Sequence, residues 1–221
     1  MIVSDEARAL SQWTESASEK IANSVSHAVG LVGALIGTPI LLVAAFQNGR
    51  TAFFIGTVVF SITMSMVYLS STLYHAWPQT RAKEFLRLFD HSAIYFLIAG
   101  TYTPFALGPL RATIGPTLLV AIWALALIGV AIKIVRGTSR HRGFALGLYL
   151  TMGWLAVLVL RPFASALSAA TIVWLFAGGI AYTLGVLFFV NERRRYAHFV
   201  WHLFVLTGTS CHFAAVLSCA S

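Results

Sequence analysis

Residues 197–220 read AHFVWHLFVLTGTSCHFAAVLSCA, a run of 24 residues without an Asp, Glu, Lys or Arg. Wound as an α-helix at about 1.5 Å per residue it reaches about 36 Å, enough to cross the roughly 30 Å hydrocarbon core of a bilayer. Three basic residues, Arg193 to Arg195, stand just ahead of it. Its only ionisable side chains besides two cysteines are histidines, and His198 and His202 sit at its start, four residues apart. That spacing puts both imidazoles on one face of a helix.

Six further apolar runs lie upstream, approximately Ile21 to Gln47, Thr51 to His75, Phe89 to Leu107, Thr113 to Val135, Gly143 to Leu160 and Ala166 to Val190. The expected fold is an all-α integral membrane bundle of seven transmembrane helices. The fifth run is short and ends at Arg161-Pro162; Trp77 to Leu88 is too polar to span and suits a short interfacial helix. Residues 1–20 form a polar amino-terminal tail without the basic-then-apolar order of a secretory signal, and 21–221 a single membrane domain.

Composition agrees. Of 221 residues 58% are hydrophobic and 10% charged, and the mean hydropathy is +0.82, leaving too little polar surface for a soluble globule. The net charge of +8 is split into short clusters between apolar runs, so it forms no continuous basic face for nucleic acid. Twelve Lys and Arg fall in the tail and the second, fourth and sixth loops, against Arg50, Arg111 and Arg161 on the other side. Basic loops stay in the cytoplasm, so the amino terminus is expected inside, the carboxy terminus outside, and the chain in a plasma membrane, for a bacterium the inner one. Cys211 and Cys219 lie about 12 Å apart along one helix, too far for a disulfide. A retinal Schiff base is disfavoured because the seventh run has no Lys.

Ionisable groups within membrane spans mark function, and here they gather at one depth. His75 closes the second run, Asp90 and His91 open the third, His198 and His202 open the seventh, and His27 lies about two turns into the first. Three neutral imidazoles with a fourth position left to water form a known catalytic zinc arrangement, which His75, His198 and His202 can supply. Single iron or manganese ions suit the same ligands. A di-iron desaturase needs two metals and more histidines than the cluster has. The residues between the paired histidines are Phe199, Val200 and Trp201, so any general base comes from elsewhere. Asp90 is at the right depth for that role, and Ser71, one turn from His75, for a donor to a developing oxyanion. Each piece alone is ordinary: small hydroxyls such as Ser61, Ser65, Ser70 and Thr72 pack the same helix as Ser71. Glu19, Asn23 and His27 form a stripe on the first helix, and with His91 they read as supporting residues. His212 lies about 15 Å beyond His202 and off its face, and reads as structural; His141 reads as solvated.

The combination Glu19-Lys-Ile-Ala-Asn23-Ser-Val-Ser-His27, Ser71-Ser-Thr-Leu-Tyr-His75, Asp90-His91 and His198-Phe-Val-Trp-His202, in that order, resembles the bacterial hemolysin III proteins of the progestin and adiponectin receptor superfamily, which is related to alkaline ceramidases. The resemblance covers nearly the whole chain. It implies a seven-helix fold with the amino terminus inside, zinc held by His75, His198 and His202, and Asp90 and Ser71 near the metal or its water. It further implies either a zinc-dependent hydrolase of a membrane lipid amide or ester, affecting lipid or fluidity homeostasis, or a non-enzymatic protein with structural zinc acting in membrane energetics or as a cytolysin. The long cytoplasmic extension of the eukaryotic receptors is missing, so hormone signalling is not carried over.

Overall fold

The computed structural model describes residues 16–137, 142–191 and 194–220, with the backbone alone of Arg142. His141, Arg140 and Arg193 lie outside the described residues, as does most of the amino-terminal tail. Among the described residues nine helices follow one another: α1 (Ala17–Gln47), α2 (Thr51–Ala76), α3 (Arg81–Leu107), α4 (Gly115–Arg136), α5 (Arg142–Gly153), α6 (Leu155–Leu158), α7 (Leu160–Ala166), α8 (Ala169–Val190) and α9 (Ala197–Ala220). No strand occurs among the described residues. Helix α1 starts four residues before the expected span because Ser16 and Glu19 form a reciprocal capping box.

Among the described residues five helices, α1, α2, α4, α8 and α9, are long and apolar enough to cross a membrane. Helix α3 is equally long, but Arg81, Lys83, Glu84, Arg87 and Asp90 load its first turns with charge. The expected separate interfacial helix does not form: from Arg81 onward it is the start of α3, because no glycine or proline interrupts the chain before Leu107 except Gly100 and Pro104, near the far end.

The fifth apolar run is broken into α5, α6 and α7, with turns at Trp154 and Val159. A broken helix frees backbone groups that lipid cannot satisfy. Tyr102, on α3, repairs the first break: its hydroxyl accepts the Ala156 N–H at 2.9 Å and lies 3.0 Å from the Met152 and Gly153 carbonyl oxygens, to which it donates.

Helices α1 to α4 pack each on the next, and α9 packs against both α8 and α1, bringing the ends of the bundle together. Close approach depends on small residues. A Cβ on Gly56 of α2 would fall 2.6 Å from the Pro104 Cα of α3, a backbone atom that cannot move aside. The distribution of polarity is that of a lipid-facing protein. Apolar side chains such as Val135 (82% exposed) and Leu158 (80%) point outward, while Glu19, Asn23, His27, Ser71, His75, Asp90 and His202 are buried. The chain is therefore a multi-pass membrane protein.

Candidate metal centre

Three helices bring the cluster together. His75 lies in the last turn of α2, His198 and His202 in the first two turns of α9, and His27 in the third turn of α1. The His75 ring centroid stands 5.0 Å from that of His198 and 5.1 Å from that of His202, and the two α9 rings are 4.6 Å apart. One nitrogen from each ring lies within 4.8 Å of the others. Tetrahedral zinc with Zn–N bonds of 2.0–2.1 Å would bring such nitrogens to about 3.4 Å. Small side-chain rotations suffice to close that difference.

The donor chemistry fits a metal at His202 in particular. His202 is 1% exposed, and its Nδ1 lies 3.1 Å from the Asn23 carbonyl oxygen and 3.0 Å from Ser26 Oγ. A carbonyl only accepts, so Nδ1 carries the proton and donates, which leaves the Nε2 lone pair for a ligand. Ser26 also donates to the same carbonyl, at 2.9 Å. Asn23 thus acts on the cluster through its main chain, a role that side-chain identity does not advertise. Ser26 was not among the sequence candidates; its only signal is that it immediately precedes His27 on the stripe.

His27 stacks face to face on His202, centroids 3.7 Å apart and planes 19° apart, with Tyr68 edge-on at 5.3 Å. Both its nitrogens are buried and make no hydrogen bond. Parallel rings aim their lone pairs side by side rather than at a common point, so His27 is a neighbour of the three candidate ligands and not a fourth. Asp90, 9% exposed, lies where His75 and Ser71 act on its carboxyl group. The Ser71 hydroxyl is buried beside that carboxyl group. His91 is held by its main chain, whose carbonyl accepts Tyr149 Oη–H at 2.7 Å. Glu19 stands apart from the imidazoles, at the turn into α9. His212 is packed against Gly178 of α8, with Nε2 3.3 Å from the Leu175 carbonyl oxygen. Both cysteines are free.

A cavity of about 150 Å³ connects with this cluster. His27, Ser71, Asp90, His198 and His202 line its polar end, and from there it continues between α3, α5 to α7, α8 and α9 along walls of Leu97, Leu150, Phe163, Val186 and Val205. Two chemistries meet in one space: nitrogen and oxygen donors at the cluster, and a largely apolar wall beyond it in which Thr101, Tyr102, Thr183 and His212 are interspersed.

Comparison with known proteins places the chain among relatives. The family model described as "Haemolysin-III related" matches residues 16–213. The chain is 41% identical over 199 residues to the hemolysin-3 homolog of Bacillus subtilis (strain 168), covering 90% of this chain and 93% of that protein. It is 37% identical over 208 residues to hemolysin-3 of Bacillus cereus, covering 94% of each. It is 30% identical over 210 residues to the monocyte to macrophage differentiation factor of Homo sapiens, covering 90% of this chain and 83% of the human one. A match that runs from the start of α1, with its Glu19, Asn23 and His27, past His198 and His202 of α9 means that the chain belongs to the haemolysin-III related family, within the progestin and adiponectin receptor superfamily.

Proposed function

We propose that this protein is a zinc-dependent hydrolase of a membrane lipid amide or ester, working at the cytoplasmic face of a bacterial inner membrane. The observation that carries the reading is a cluster of three imidazoles, two of which, His198 and His202, line the polar end of a largely apolar cavity. His75, His198 and His202 would hold the metal, with His202 binding through Nε2 because Nδ1 is engaged. Bound zinc supplies two things, a water made acidic near neutral pH and polarisation of a carbonyl oxygen.

The remaining work falls to the chain. Asp90 is buried at the cluster and takes a proton from the attacking water, then returns it to the leaving nitrogen or oxygen. Ser71, buried beside the Asp90 carboxyl group, donates to the carbonyl oxygen as charge develops on it. The apolar walls align an acyl chain so that its head-proximal bond reaches the histidines, and they exclude bulk water from the rest. Seven crossings accommodate this, with α3 as the third and the interrupted α5 to α7 stretch as the fifth. The excess of basic residues on one set of loops places the amino terminus inside.

The test is to purify the protein, measure bound zinc, and follow turnover of lipid amides and esters in mixed micelles. Wild type should carry about one zinc and His75→Ala much less; Asp90→Asn should keep zinc and lose turnover. Equal turnover in all three removes the hydrolase. One observation favours a second reading, since the His27–His202 stack and the His75 contacts tie α1, α2 and α9 together. A purely structural zinc, in a protein that acts by membrane energetics or by the haemolysis named in its Bacillus relatives, predicts that ligand variants lose fold and every activity together.

A further inference from the structure

Helix α9 begins from a backbone conformation that amino acids with side chains rarely adopt. Tyr196, two residues ahead of His198, has φ +58° and is the sole non-glycine with positive φ among the described residues. Its carbonyl already accepts the Val200 N–H at 3.0 Å, so it is the point from which the helix departs. Left-handed backbone costs a residue with a Cβ energy that neighbouring structure must supply. The Tyr196 N–H points away from α9 and needs an acceptor.

Glu19 provides it. Its Oε1 accepts the Tyr196 N–H at 2.8 Å, while Oε2 accepts the Ser16 N–H at 3.0 Å and the Ser16 hydroxyl at 2.7 Å. One carboxylate, 4% exposed, thereby joins the start of α1 to the start of α9. Tyr196 is held a second time, its phenol donating to Ser18 Oγ at 3.3 Å. One turn further along α1, the Asn23 carbonyl takes the His202 Nδ1–H. The same helix fixes both the point where α9 starts and the rotation of its second imidazole. Glu19 is not part of the cavity wall, so it acts through α9 and not on a bound molecule.

We propose that Glu19 is a positioning residue for the metal ligands: by clamping Tyr196 in the left-handed region it sets the direction and rotational phase of α9, so that His198 and His202 converge on His75. The inference rests on the metal-site reading above. A carboxylate suits the task because an ionised acceptor with two oxygens holds backbone donors from two helices at once, more strongly than a neutral one.

The experiment uses the full chain in detergent micelles and three readouts: metal affinity by competition with a chromophoric chelator, the visible spectrum of the Co(II)-loaded protein, and the melting temperature of the metal-free protein. Glu19→Ala should weaken metal binding by about 10- to 100-fold, the range for lost partners of metal ligands, and alter the Co(II) bands. Glu19→Gln, which keeps an acceptor for Tyr196, should lose well under tenfold. Adding Tyr196→Gly to Glu19→Ala should recover much of the affinity, because glycine adopts this φ without help. If Glu19→Ala does not fold, Tyr196→Val tests the same point with Glu19 intact: a β-branched residue resists this conformation, and affinity should again fall at least about tenfold. Wild-type affinity and spectrum in Glu19→Ala or in Tyr196→Val would overturn the inference, as would a Glu19→Gln as weak as Glu19→Ala. A wild-type protein that binds no metal would instead remove the metal-site reading, and this inference with it.

Discussion

Replacing Tyr102 with phenylalanine removes one oxygen atom and should destabilise the bundle measurably while sparing the histidine cluster. In the folded protein that oxygen accepts the Ala156 N–H and donates to the carbonyls of Met152 and Gly153. Phenylalanine preserves the ring, which is buried, so packing is nearly unchanged. The orphaned N–H is the larger loss, about 1–3 kcal/mol for a buried group left unmatched. Carbonyl oxygens tolerate losing one partner better. Hydrogen bonds inside bilayers average only about 0.6 kcal/mol, with a maximum of about 1.7, which favours the lower half of that range. The expected cost is therefore about 1–2 kcal/mol. Reversible unfolding by SDS in mixed micelles, followed by helical circular dichroism and by fluorescence, measures it. Trp154 sits at the break as the residue preceding α6, so a local change in tryptophan emission should accompany the loss. A Tyr102→Phe protein with wild-type stability and emission would refute the view that this hydroxyl makes the broken fifth run tolerable.

Other expectations concern the cluster and the helix contacts. Ser26→Ala removes one of two groups at His202 Nδ1 and should lower metal affinity by about tenfold in the chelator competition, with folding retained. His202→Ala should abolish stoichiometric metal binding, read by elemental analysis of the purified protein. Gly56→Ala places a methyl group against the Pro104 backbone and should cost about 1–3 kcal/mol of stability in the same SDS titration, leaving metal affinity per folded molecule unchanged.

The parts of this architecture that sequence reveals are those written in side-chain type and spacing. Long apolar runs mark α1, α2, α4, α8 and α9, and the four-residue spacing of His198 and His202 places both rings on one side of a helix whatever the remainder of the chain does. His75 is legible for a similar reason, because it closes a run of known direction. What stays hidden is carried by backbone atoms or by partners distant in sequence. Tyr102 repairs a break some fifty residues downstream, and nothing near Gly153 or Trp154 names it. Asn23 serves His202 through a carbonyl that every residue possesses. The continuity of α3 through Arg81 to Leu88 was concealed by charge, which signals a membrane surface but does not end a helix. Glu19 could be seen as part of a stripe, whereas its hold on Tyr196 depends on a backbone angle.

The pairing of α9 with α1 has a bearing on biogenesis. His75 is inserted early, but its companions at 198 and 202, and the contact that orients His202 on Asn23, arrive only when α9 enters the bilayer beside a helix made long before. During synthesis the buried histidines of α1 and α2 must wait in a half-built bundle, sheltered by water, lipid headgroups or insertion factors. Metal capture would then report that every helix has reached its place, a late checkpoint on assembly as well as a source of chemistry.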